Sequence, residues 1–465
     1  MDDDIRKYIP ELPNLGEVVT LRHLLTHTSG YREFLNTIAM TGRQLHRGDW
    51  IDRSELISIV QRQPELQNTP GSEFNYNNTG YGLLATVVER IGGKPFPDWM
   101  KENVFEPLKM NDTFVRTDPL TIIKRASQGY VQDDEGAYKN SPDFGGTIGA
   151  GGIYTTVSDL ANWVKNFKGD ELVKSGKFEQ MSTPFKLSSG KSTGYGFGLY
   201  IDEYKGLARI HHGGADTAHR SMMMYFPNLE AAVITQSNYS NFKGSIVESV
   251  ADQFFGLKFE NKKDTPDSKN SDNVAFDPNT FAPATFDKFA GRYELNERPG
   301  FVLTISRADD KFHLQATGQE RLEIVPAGPM NFKLIGVEAN ITFHQSSEGE
   351  IKRLTLYHNG EHPATKLAKD PWSPGEDQLG TYAGNYFSKE LETFVEISVV
   401  DEALVAKIRR LEDMELSPTK ALHFSSKSGF ELEFEANEDG DFNSLKIGFG
   451  GRTRGIRFKR VHGEL

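Results

Sequence analysis

Pro70-Gly71-Ser72-Glu73-Phe74-Asn75-Tyr76-Asn77-Asn78-Thr79-Gly80-Tyr81-Gly82-Leu83-Leu84 holds more structural information than any other stretch of this chain. The Pro-Gly pair marks a turn. From Gly80 to Ile91 the apolar residues Leu83, Leu84, Val87 and Val88 recur on one face of a helix. Tyr76, Asn77 and Asn78 therefore stand between a turn and the start of an amphipathic helix. A tyrosine there, taken alone, reads as a buried ring with a satisfied hydroxyl.

Outward from this stretch, residues 1–257 mix helical periodicity with short strand-like runs. Ser245–Phe255 repeats the helical pattern with Ile246, Val247, Val250 and Phe254. Thr156 is placed to cap a further helix, with Asp159 completing a variant of the capping box. Glu260–Asn273 holds no aliphatic or aromatic residue, so 258–283 reads as a polar, solvated linker. Beyond it the chain repeats itself. Phe289-Ala-Gly291-Arg-Tyr293 returns as Tyr382-Ala-Gly384-Asn-Tyr386, and Phe343, Gly349 and Leu354 return as Phe434, Gly440 and Leu445. Each unit alternates short apolar and polar runs broken by Gly and Asp turns, which predicts small antiparallel barrels or sandwiches at 284–370 and 371–465. Lys369–Gly375 divides the two.

Composition narrows the function. A net charge of −12, from 53 basic and 65 acidic residues, argues against a nucleic-acid or anionic-membrane surface. No apolar run approaches the roughly 18 residues of a membrane helix. With no cysteine, disulfides, thiolate metal sites and a thiol nucleophile are excluded. No His-Glu-x-x-His spacing occurs, and neither metal nor cofactor is expected.

Three stretches carry chemistry: Leu21-Arg-His-Leu-Leu-Thr-His27-Thr-Ser29-Gly30-Tyr31, the Pro70–Leu84 run, and His211-His212-Gly213-Gly214-Ala215-Asp216. With Glu106–Met110 and Gly151–Leu160 in the same order, they resemble the serine β-lactamase and penicillin-binding-protein-like hydrolases. The likeness is to the class C β-lactamase, esterase and D-aminopeptidase branch. It implies a β-lactamase/transpeptidase-like α/β domain, acyl transfer on a small peptide, amide or ester, and, as in D-aminopeptidase-type members, two lipocalin-like antiparallel β-barrels behind it. The whole is then a multidomain α/β plus all-β chain.

The same resemblance assigns roles. Tyr76 matches the proton-shuttling tyrosine of Tyr-x-Asn, and Asn78 its substrate-gripping amide. His212 matches the cationic position of the Lys/His-x-Gly strand. Gly213 and Gly214 would leave that strand bare for substrate, and the Ala215 N–H would complete an oxyanion hole. The family's Ser-x-x-Lys precedes the segment matching Asp2–Tyr8, so an N-terminally truncated domain without its nucleophile is expected, with any export leader outside the sequence. The alternative is a non-catalytic protein binding peptidoglycan-like or D-amino-acid peptides. Ser188-x-x-Lys191 among Ser and Gly, and Ser417-Pro-Thr-Lys420 with its internal Pro, are not expected to present a serine on a helix. Tyr239-Ser240-Asn241 follows a strand-like run and Lys174-Ser-Gly176 a charged one, so both are set aside.

Overall fold

The computed structural model describes residues 1–461 except 46–47, 52, 134, 143–147, 169–171, 173–175, 259–280, 297–300, 318–320, 336–338, 347, 359–360, 368–371 and 373. Most of the linker expected over 258–283, part of the Lys369–Gly375 divider, and Lys174 and Ser175 lie outside the described residues. The chain falls into two compact units, Met1–Leu35 with Arg43–Thr265, and Asn36–Gly42 with Pro266–Leu465.

In the first unit, helices α1 (Leu21–Leu25), α2 (Phe34–Ala39, its first two residues only), α3 (Arg53–Gln61), α4 (Asn78–Gly92) and α5 (Phe96–Met100) precede two short antiparallel pairs. The pairs are β1 (Phe114–Val115) with β4 (Ile153–Tyr154), and β2 (Tyr130–Gln132) with β3 (Tyr138–Asn140). Then come α6 (Val157–Lys165), α7 (Lys177–Met181) and an antiparallel sheet in the order β5 (Tyr200–Tyr204), β6 (Leu207–Asp216), β7 (His219–Phe226), β8 (Ala231–Ser237). Alternation along β7 divides the packing. Met224 and Phe226 meet α8 (Ser245–Phe255), whereas Met223 and Tyr225 pack with Val164 and Phe167 at the end of α6.

Two local expectations are corrected. On α8 the buried stripe is Val247 and Ala251, while Ile246 and Phe254 are exposed. Residues four apart share a helix face, and the stripe continues to Phe255, whose ring lies 5.8 Å from Phe226. Thr156 does cap α6, accepting from Asp159 N at 3.2 Å. Asp159 does not close the box; its carboxylate accepts from Asp112 N and Thr113 Oγ1 and ties the helix start to the preceding loop.

The second unit contains two closed eight-stranded antiparallel barrels. One runs from β9 (Gly291–Leu295) to β16 (Glu361–Lys366). After α9 (Glu376–Tyr382), the other runs from β17 (Gly384–Ser388) to β24 (Thr453–Val461). Eight strands enclose a bore that side chains can fill, and here aromatic rings fill it. Phe286, Phe289, Tyr293, Phe312, Phe332 and Phe343 form the first core; Tyr382, Tyr386, Phe424 and Phe434 are central to the second. The repeat is atomic. Tyr293 Oη donates to Phe289 O and Tyr386 Oη to Tyr382 O, both at 2.8 Å. A cation covers each tyrosine ring, Lys366 in one case and Arg460 in the other. Gly291, at φ +144°, leaves room for that lysine, since a Cβ would stand 2.5 Å from Lys366 Cε. Asn36–Gly42, which the sequence reading places in the first domain, groups with the barrels: Met40 is fully buried in the second barrel's core, and Asn36 Nδ2 donates to Phe449 O at 2.9 Å.

Candidate active site

The Pro70-Gly71 turn is anchored by Gly71 N donating to Thr28 O at 2.8 Å. It delivers the chain to α4, whose N-cap is Asn77: its side chain accepts from Gly80 N at 3.2 Å. The same side chain donates to Tyr31 O, and its backbone N–H donates to His27 Nδ1 at 2.9 Å. Asn77→Ala is therefore expected to lower the stability of the first unit by about 1–2 kcal/mol. Urea unfolding followed at Trp163 measures it; an unchanged midpoint would mean the cap does not hold this helix start.

Tyr76, just before the cap, is half-buried, with its ring centroid 4.1 Å from that of His27 and 6.0 Å from that of His212. Asn78 is the first residue of α4, and its side-chain amide makes no hydrogen bond among the described residues. Across from them, β6 carries His212, Gly213, Gly214 and Ala215, the last three exposed. Pairing with β5 ends at His211, opposite Tyr200, whereas pairing with β7 runs on to Asp216. From His212 onward, one edge of β6 has no paired strand among the described residues, and an open edge is a template for an extended ligand. At Gly214 an added Cβ would stand 2.5 Å from Ser221 Oγ, so that hydroxyl would have to turn away. Beside the edge lies a cavity of about 330 Å³ lined by Trp163, Met181, Phe197, His212, Gly213 and Met222 among others.

His212 Nδ1 lies 2.7 Å from Gly213 O and Nε2 3.1 Å from Tyr195 Oη. Burial, with a smaller contribution from neighbouring His211, pushes its pKa below the ordinary 6.5, outweighing the Gly213 hydrogen bond. At the position that the resemblance makes cationic, burial thus favours the neutral imidazole. Tyr195 is where sequence reasoning falls short: it lies in Gly194-Tyr-Gly-Phe-Gly-Leu199, outside every quoted motif, yet its ring is buried among those of His27, Phe74, Tyr76 and Tyr200. The run of alternating glycines was the available signal.

The set-aside candidates fall elsewhere. Ser188–Lys191 is a loop, and Ser417–Lys420 lies within a barrel strand, Met414–Lys420. A third spacing that the motif reading passes over, Ser240–Lys243, follows β8 in a turn. Tyr239 Oη donates to Gln132 Oε1 at 2.7 Å, away from His212. Two His-x-x-x-His spacings also went unread. His23 accepts from Thr20 N at the start of α1, and His27 lies beyond that helix with a positive φ, so they share no helical face. His362 Nε2 meets His358 O across a hairpin. Among the described residues no group of three or more His, Asp or Glu is placed to hold a metal, and no helix is long and apolar enough to cross a membrane.

Tyr-x-Asn at the start of α4 and His-x-Gly on β6 are the two motifs on which the resemblance to the serine β-lactamase-like hydrolases rests. The chain belongs to that family: the beta-lactamase family profile matches residues 1–249. It is 25% identical over 375 residues to penicillin-binding protein 4* of Bacillus subtilis (strain 168), across 77% of this chain and 80% of that one. It is 21% identical over 479 residues to the D-aminopeptidase of Brucella anthropi, across 99% and 84% respectively. The octameric penicillin-binding protein homologue from Pyrococcus abyssi shares the fold, with a TM-score of 0.51 and 23% identity over 78% of this chain and 82% of that one.

Proposed function

We propose that the groove between the start of α4 and the open edge of β6 binds a small peptide, amide or ester. In this reading it is the acyl-transfer site of a D-aminopeptidase- or esterase-like serine hydrolase. The observation that carries it is the opposition of the Tyr76 and His212 rings across 6.0 Å, with the Asn78 amide, which makes no hydrogen bond among the described residues, close to Tyr76 in the chain. Acyl transfer joins a serine oxygen to the carbonyl carbon, expels the amine or alcohol with a proton, and lets water release the acid. Tyr76 is the proton carrier in that sequence and Asn78 the grip on the substrate amide. Gly213 and Gly214 let the substrate lie along β6, and the Ala215 N–H receives the carbonyl oxygen.

A second reading is favoured by one observation: each Ser-x-x-Lys of the sequence stands on a loop, turn or strand, never on a helix. Residues 1–465 by themselves then bind such ligands, including peptidoglycan-like or D-amino-acid peptides, without forming an acyl-enzyme. Incubation with a fluorophosphonate and with a penicillin should leave the intact mass unchanged; an adduct on any serine overturns the non-covalent reading. Binding of a D-alanyl dipeptide amide, followed by NMR, should weaken about fivefold in Asn78→Ala, the worth of one hydrogen bond of about 1 kcal/mol. Equal affinity would remove Asn78 from the site.

A further inference from the structure

His27, Tyr195 and His212 come from three separate parts of the sequence and meet in one line of hydrogen bonds. His27 Nε2 lies 3.1 Å from Tyr195 Oη, and Tyr195 Oη lies 3.1 Å from His212 Nε2. The two ends of the line fix its direction. At one end, a main-chain N–H can only donate, so His27 Nδ1 accepts from Asn77 N at 2.9 Å. The Asn77 carbonyl is 3.2 Å from the same nitrogen, but Nδ1 cannot accept and donate at once, and the N–H is the shorter contact. Neutral His27 then carries its proton on Nε2 and donates it to Tyr195 Oη. At the other end, Gly213 O can only accept, so His212 Nδ1 donates to it at 2.7 Å. The lone pair left on His212 Nε2 faces the Tyr195 hydroxyl at 3.1 Å and competes for its proton with the Tyr81 hydroxyl, whose own proton goes to Leu25 O.

We infer that Tyr195, oriented by His27, is a positioning residue that holds His212 as the neutral Nδ1–H tautomer through the hydroxyl it donates to Nε2. The inference rests on the reading of His212 as a site residue. It also deepens that reading. A neutral Nδ1–H imidazole presents no positive charge to a ligand, so the substrate class is one that is uncharged where it meets β6, an amide or ester, and not a peptide ending there in a free carboxylate. Burial, which lowers the pKa of His212, acts in the same direction. The other titratable groups facing its ring leave this intact: Tyr200 on β5 at 5.5 Å, Tyr76 ahead of α4 at 6.0 Å, and His211 on its own strand, which is paired with Asp202 at 3.2 Å.

The test is long-range ¹H–¹⁵N NMR of the full chain labelled at histidine, titrated with pH, for wild type and Tyr195→Phe. Wild type should show His27 protonated at Nε2 and His212 at Nδ1. In Tyr195→Phe the His212 Nε2 signal should move towards that of an unbonded ring nitrogen. Its titration midpoint should rise by about half a unit to one unit, because the lost hydrogen bond favoured the neutral form. A merely structural tyrosine would lower the melting temperature without moving either signal. His27→Gln is the second variant, should Tyr195→Phe fail to fold; it should produce a smaller rise at His212. Wild-type His212 protonated at Nε2, or a midpoint unmoved in whichever variant folds, overturns the inference. Failure of wild type to bind the D-alanyl dipeptide amide would instead sink the functional reading and leave the tautomers as measured.

Discussion

Replacing Phe332 with alanine is expected to destabilise the first barrel by about 3–5 kcal/mol, the range for truncating a buried aromatic. Phe332 is fully buried on the strand Asn331–Leu334, with its ring 5.2 Å from Phe286, 5.3 Å from Phe289 and 5.7 Å from Phe343. These rings meet edge-on, the preferred geometry, so the loss exceeds simple area burial. A closed barrel has little means of collapsing onto the void, because each strand is held on both sides. A loss of this size approaches the whole stability of a small domain. Hydrogen exchange read by mass spectrometry would localise it: peptides from β9 to β16 should exchange orders of magnitude faster than in wild type. Unchanged protection there would mean that the bore repacks and that the aromatic cluster is not what keeps the barrel closed.

The barrels were legible because their signal repeats. Alternation of apolar and polar residues fixes which side chains face the bore, and the second copy of Phe-Ala-Gly-Arg-Tyr shows that the first is no accident. What the repeat could not convey is the hydroxyl of Tyr293 reaching back to Phe289, or the cation over its ring, since both depend on strand register. In the first unit, the turn and helix start that frame Tyr76 and Asn78, and the strand that carries His212 and its glycine pair, were legible from local pattern. The role of Tyr195 was not, because the two histidines that meet its hydroxyl lie 17 and 168 positions away, and no local pattern marks a hydroxyl shared by two distant histidines. His27 was quoted but given no role for the same reason. Asn36–Gly42 escaped notice because a helix of six residues is too short for periodicity to say what it packs against.

Gly30→Ala should have the largest effect in the first unit, about 2–5 kcal/mol. Two costs combine. Gly30 has φ +78°, a conformation that costs an L-residue roughly 1–2 kcal/mol. A Cβ would also stand 2.2 Å from Asn68 O, a backbone atom that cannot rotate away, and forced overpacking adds about 1–3 kcal/mol. The site would feel this directly. Residues 27–31 are laced to residues 67–77 by Gln67 N to Gly30 O, Asn75 N to His27 O, and Asn77 Nδ2 to Tyr31 O. Displacing Asn68 therefore loosens the segment that seats both His27 and the cap of α4. Gly16→Ala separates the two costs. Gly16 has φ +87° with nothing within 4 Å of an added Cβ, so only the roughly 1–2 kcal/mol of backbone strain should register. Urea unfolding of both variants, with the His27 Nε2 proton followed by NMR, reads the difference. If Gly30→Ala loses no more than Gly16→Ala and keeps the His27 signal, the contact with Asn68 is absorbed, and residues 27–31 do not brace the site.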